Sequence, residues 1–95
     1  MKILSKYRSR IDIMASILDA ASKKNRASIT QLTYGGLLSH RQIVSHLQPL
    51  LTEKLLERYE NGFSITQKGR EFLQIYDSLV KTLNGYQLIE YQVRM

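Results

Sequence analysis

The stretch SITQLTYGGLLSHRQIVSHLQPLLT, residues 28–52, decides the fold. Ser28 and Gln31 stand at the spacing of a capping box, in which two side chains satisfy backbone N–H groups left unpaired at a helix start. Ser39 and Gln42 repeat that spacing. Between them, Gly35 and Gly36 tolerate positive φ and are expected to end a short helix of about 29–34. A longer helix then starts near His40. Its apolar stripe is Ile43, Val44, Leu47, Leu50 and Leu51, with Arg41, Gln42, Ser45, Gln48 and Thr52 on the opposite face. Short helix, tight turn and longer helix is the order of a helix-turn-helix. Pro49 interrupts this pattern, because it lacks an N–H and its ring crowds the carbonyl of Ser45. A kink or an early end is expected there, and its place on the polar side of the wheel favours a bend over loss of the helix.

Upstream, Ile11, Met14, Ala15, Leu18 and Ala21 recur every three or four residues, predicting a helix from Ser9 to about Ser22 with Ser9 as its cap. Lys23, Lys24, Asn25 and Arg26 form a polar turn after it. Downstream, the segments Leu55 to Tyr59 and Phe63 to Thr66 flank Glu60, Asn61 and Gly62, and the Asn-Gly pair predicts a two-stranded ribbon whose turn needs positive φ. Thr66 can cap a last helix in which Phe72, Tyr76, Leu79, Leu83 and Tyr86 follow a heptad-like seam. Asn84 and Gly85 either end that helix or weaken it by about 1 kcal/mol at the glycine. The resulting class is mainly α with a small β-hairpin (α+β), in the order of a winged helix-turn-helix.

A chain of 95 residues and 11.0 kDa supports one hydrophobic core. With no cysteine it has neither a disulfide nor a thiolate metal cage, which leaves oligomerisation as the common means of reinforcing so small a domain. The same absence fits a reducing interior. No apolar run approaches the roughly 20 residues that span a bilayer, and Met1 to Arg10 carries no signal-peptide core, so an intracellular, cytoplasmic location is expected.

Charge narrows the partners. The net charge is +6, and residues 1–48 hold eight basic and two acidic side chains against six of each in residues 49–95. The whole excess therefore lies in the first half, which suggests a side facing a polyanion, either nucleic acid or an anionic membrane. The first helix offers a membrane only Ile, Met, Ala and Leu, without the aromatic residues that favour the interface.

The run Tyr34, Gly35, Gly36, Leu37, Leu38, Ser39, with the Leu47, Leu50, Leu51 spacing behind it, resembles the turn and recognition helix of the small basic archaeal DNA-binding proteins of the 10a family. The later run from Ile65 through Thr66, Gln67, Lys68, Gly69, Arg70, Glu71 and Phe72 to Leu73 is similar to the end of the wing and the start of the last helix in those proteins. Length and element order agree over nearly the whole chain. The resemblance implies a homodimer joined by an antiparallel coiled coil of last helices, with paired winged domains on double-stranded DNA, in a chromatin-associated or transcription-regulating role at the nucleoid. On that basis residues 1–70 are the DNA-binding domain and 71–95 the dimerisation helix, with Phe72, Tyr76, Leu79, Leu83 and Tyr86 on the dimer seam. The sequence departs from the family pattern at Pro49 and at Asn84 to Gly85, which bear on the straightness of the recognition helix and the length of the coiled coil.

A helix of about 40–52 fits the major groove, and Ser39, Arg41, Gln42, Ser45, His46 and Gln48 are the candidates to meet DNA there, Arg41 through guanine and Gln42 through adenine. His40 is expected to pack inward and His46 to sit on the flank. Arg58, Asn61 and Lys68 are the wing candidates, Arg58 first because guanidinium suits phosphate. Lys6, Arg8, Arg10, Lys23, Lys24 and Arg26 are the candidate phosphate contacts, with ordinary solubilising charge as the plainer reading. Tyr34 and Tyr59 are expected to serve packing. Two histidines without supporting ligands argue against a metal site, no enzyme motif is present, and no cofactor or small-molecule ligand is indicated. The competing reading is a winged-helix protein–protein interaction module that does not bind DNA.

Overall fold

The computed structural model describes residues 9–94 of the backbone, with side chains from 9 to 83. The elements run α1 (Arg10–Ser22), α2 (Ile29–Gly36), α3 (His40–Thr52), β1 (Leu56–Tyr59), β2 (Gly62–Ile65) and α4 (Gln67–Arg94).

Local chemistry sets the start of each helix. The hydroxyls of Ser9, Ser28 and Ser39 each accept the backbone N–H three residues on, at 3.1 Å in all three cases. Asp12, Gln31 and Gln42 return the bond to the serine amide at 3.1, 3.0 and 2.9 Å. Three reciprocal capping boxes therefore satisfy donors that would otherwise be orphaned. At α4 the Thr66 hydroxyl accepts the Gly69 N–H at 3.0 Å and donates to the Lys54 carbonyl at 2.6 Å, so one side chain caps the helix and ties it to the end of α3. Gly69 is needed for this approach, since a Cβ there would lie 2.3 Å from the Leu55 carbonyl oxygen.

Helix ends depart from the sequence expectation. α2 runs through both glycines to Gly36, and the left-handed residue is Leu37 with φ 55°. The Leu38 N–H reaches the Thr33 carbonyl at 2.9 Å and the Leu37 N–H reaches that of Tyr34 at 3.2 Å, a Schellman closure anchored by buried Leu38. α3 ends the same way at Lys54, φ 61°, with Leu55 bonded to Leu50 at 2.9 Å and both leucines buried. Burial of the apolar residue after the turn offsets the cost of positive φ at a non-glycine position. Pro49 does not terminate α3, which continues to Thr52. Asn84 and Gly85 likewise lie within α4.

The strands pair antiparallel with Leu56 opposite Ile65 and Tyr59 opposite Gly62, so the loop is Glu60-Asn61. Of the Asn61-Gly62 pair only Gly62 takes positive φ, at 140°. Ala27, in the loop between α1 and α2, adds a rung absent from the sequence reading, exchanging bonds of 2.9 and 2.8 Å with Phe63.

The core centres on α1, which packs against α2, α3, α4 and β2. Ile17, Leu18, Leu32, Ile43, Leu50 and Leu56 are its largest fully buried side chains. Because α1 has neighbours on several sides, Ile13, Ile17 and Ala20 join the predicted stripe in the interior, while Ile11 in the first turn stays exposed. The α3 stripe also shifts. Val44 is exposed and His46 is buried, so the expectation that Val44 packs is corrected; His40, expected inside, is exposed. Phe72 and Leu73, on the first turns of α4, pack against the core of their own chain.

Candidate nucleic-acid interface

The outward face of α3 carries His40, Arg41, Val44, Ser45, Gln48 and Thr52, and residues 40–52 include no acidic side chain. Arg41 is exposed and, among the described residues, makes no hydrogen bond or ion pair, so its guanidinium is free to meet an anion or a base edge. The other predicted reading residues are partly engaged. Gln42 is half-buried and its Oε1 accepts the Ser39 N–H, which takes the acceptor that bidentate recognition of adenine requires. The Ser45 hydroxyl lies 3.3 Å from the Gln42 carbonyl, to which it donates. The Gln48 amide donates to the Thr52 hydroxyl at 3.2 Å. Ser39 uses its hydroxyl as the helix cap.

His46 is only 9% exposed, contrary to its expected place on the flank. Its Nδ1 lies 2.9 Å from the Gln42 carbonyl. Nδ1 also lies 3.0 Å from the Ser45 hydroxyl, so the ring is held by its own helix and serves its inner side.

On the hairpin, Arg58 and Asn61 are exposed, with the Arg58 guanidinium 5.2 Å from the centroid of the Phe63 ring. Lys68 is not at the hairpin tip. Its Nζ donates to the Glu53 carbonyl at 2.9 Å and stands 3.8 Å from the Glu53 carboxylate, bracing α4 against the end of α3.

Among the basic flanks, Arg10 and Lys24 are exposed, whereas Lys23 is paired with Asp19 at 3.2 Å. Such a surface pair is weak and leaves Lys23 able to exchange partners. Arg26 lies 3.7 Å over the Tyr59 ring and donates to the Asn25 carbonyl at 3.2 Å. The Tyr59 hydroxyl donates to Glu57 at 2.8 Å. That hydrogen bond and the negative charge on Glu57 hold the hydroxyl pKa above its ordinary value, with Arg26 pulling the other way. Lys6 and Arg8 lie outside the described residues.

The last helix divides its predicted seam. Phe72 turns into the core and the Tyr76 hydroxyl donates to Asp12 on α1, so both serve their own chain. Leu79 is 50% exposed, Leu83 is half-buried, and Ile75, which the heptad reading omitted, is 69% exposed. The Tyr86 side chain lies outside the described residues.

Tyr34 and Leu37, at the turn before α3, are 76% and 73% exposed, so Tyr34 does not serve packing as expected. Their spacing of three residues at a helix end was the available signal for a shared outer edge. Among the described residues no group of three or more His, Cys, Asp or Glu side chains could hold a metal ion, and no helix is long and apolar enough to cross a membrane.

The fold is similar to that of Sso10a-2, a DNA-binding protein from Sulfolobus solfataricus, with a TM-score of 0.75 at 22% identity, covering 92% of this chain and 94% of that one. It is also similar to the activation domain of the phage T4 transcription factor MotA, with a TM-score of 0.57 at 20% identity over 85% of this chain and 99% of that one. A protein of unknown function from Listeria innocua gives a TM-score of 0.58 at 18% identity, over 98% and 74%. No curated protein matches the sequence. The winged helix-turn-helix family, however, matches residues 7–84, and the turn, the helix that follows it, the hairpin and the capped last helix all stand where that fold requires them; the chain belongs to the winged helix-turn-helix family.

Proposed function

We propose that this protein binds double-stranded DNA, with α3 in the major groove, Arg58 and Asn61 of the hairpin toward the neighbouring backbone, and Arg10, Lys23 and Lys24 supplying further phosphate contacts. The observation that carries this reading is the outward face of α3, where Arg41, unpaired among the described residues, lies on a helix with no acidic side chain, in the half of the chain that holds the entire positive excess. A helix of this kind matches the width of the major groove, while phosphate contacts supply affinity that does not depend on sequence. The likeness to Sso10a-2, itself a DNA-binding protein, supports the same conclusion.

The protein acts as a homodimer, with the exposed Ile75 and Leu79 of α4 meeting their counterparts in a second copy. It is a cytoplasmic, nucleoid-associated protein that organises or regulates the chromosome, and its reaction to DNA is binding without catalysis. The test is a titration of a random duplex and of single-stranded DNA at several salt concentrations. The expected result is preference for duplex, with a log–log salt slope equivalent to several released counterions. Absence of micromolar binding even at low salt would overturn the reading and leave a protein partner in its place.

A further inference from the structure

We infer that Val44 is a specificity-determining residue that reads the 5-methyl group of a thymine in the major groove. This rests on the duplex-binding reading above. Val44 is 54% exposed at the centre of the outward face of α3, with Arg41 three residues before it and Gln48 four after. Single exposed apolar residues are common on protein surfaces. What distinguishes Val44 is its setting, because the polar side chains around it have much of their hydrogen-bonding capacity engaged within the helix.

Gln42 is held by the cap, Ser45 bonds to the Gln42 carbonyl, Gln48 bonds to Thr52 and His46 is buried. Arg41 and His40 are left as the ready polar groups, both toward the start of the helix. With the polar groups nearest Val44 partly engaged, the base pair opposite it is discriminated through the remaining kind of contact, an apolar one. The major-groove edge offers one apolar group, the thymine methyl. Valine suits that contact, since its β-branched side chain holds one χ1 rotamer in a helix and so presents its methyl groups without further ordering. It also has a lower helix propensity than Ala, Leu or Gln, and with 54% of its surface exposed, packing offsets that loss only in part. Arg41 and Val44 are separated by a rise of about 4.5 Å along the axis. The thymine therefore lies within one or two base-pair steps of the base or phosphate that Arg41 meets.

The experiment begins with selection of preferred duplexes from a random pool by the full-length protein. Each thymine of a selected duplex is then replaced in turn by deoxyuridine, which removes only the methyl group, and affinity is measured for the wild type and for Val44→Ala. The expected result is a loss of about fourfold at one thymine position per bound protomer for the wild type, the ratio for one buried methyl group. V44A should bind the thymine duplex about fourfold more weakly and be indifferent to uridine there, with its circular dichroism and salt slope unchanged. The inference is overturned if no thymine is enriched, if no uridine replacement changes wild-type affinity by as much as twofold, or if V44A keeps the wild-type sensitivity. Failure of the wild type to bind any duplex would overturn the parent reading as well, and is distinguished from these outcomes by the starting titration.

Discussion

Arg26 lays its guanidinium 3.7 Å over the ring of Tyr59, joining the loop between α1 and α2 to the first strand of the wing. The contact lies beside the Ala27–Phe63 rung, which brings the same loop against the second strand. Wing and helical core are thus braced by one backbone bridge and one stacked cation.

Replacing Arg26 by Ala should lower stability by about 0.5–1 kcal/mol in urea unfolding, the range of a cation–π contact near the surface. Arg26→Lys should recover less than half of that, because an ammonium lacks the planar stacking face of a guanidinium. Full recovery with Lys would show that charge alone matters at this position.

Among the described residues Arg41 makes no ionic contact, so its loss should not disturb the fold. Arg41→Glu is expected to weaken duplex affinity at least tenfold while the far-ultraviolet circular dichroism stays the same. Unchanged affinity would remove α3 from the interface.

The exposed apolar residues of α4 locate the expected dimer contact at Ile75 and Leu79, away from Phe72 and Tyr76, which serve their own chain. Ile75→Lys combined with Leu79→Lys should convert a dimer to a monomer in sedimentation equilibrium, with most of the far-ultraviolet circular dichroism of the whole chain retained. A persistent dimer would place the interface elsewhere on the surface.

Pro49 sits inside α3 without ending it. Pro49→Ala should therefore leave helix content unchanged while raising stability by about 1–2 kcal/mol, since alanine supplies the missing N–H and relieves the clash with Ser45, less the entropy that proline removes from the unfolded chain. A rise in helix content would mean that the proline disrupts α3 in solution.

Much of the fold is legible in the sequence because its signals close over short distances. A serine and the acidic or amide residue three positions on complete a capping box wherever the rest of the chain lies, so the starts of α1, α2 and α3 follow from Ser9, Ser28 and Ser39. Thr66 and the hairpin before it are readable for the same reason. The exposure of Arg41 could be read because it stands opposite the centre of the apolar stripe.

The flanks of that stripe were not legible. At about 100° per residue, Val44 and His46 fall on opposite sides of the Ile43, Leu47 and Leu50 centre, and hydropathy alone assigns valine to the interior. The outcome depends on which side the neighbouring elements cover. α1 and β1 both pack on α3, and with the Gln42 carbonyl available to Nδ1 the histidine is accommodated inside while Val44 faces out.

The sequence by itself determined where the helices begin, the hairpin between α3 and α4, and the concentration of positive charge in the first half, since each depends on neighbouring residues or simple counting. Only the tertiary structure decided that Leu37 and not a glycine takes the left-handed turn, that Ala27 pairs with Phe63, and that Phe72 packs inward while Ile75 stays outside. Those outcomes depend on contacts between elements distant in the chain, or on the burial of a residue beyond the turn, and no periodicity within a single segment encodes which side of it a distant segment will cover.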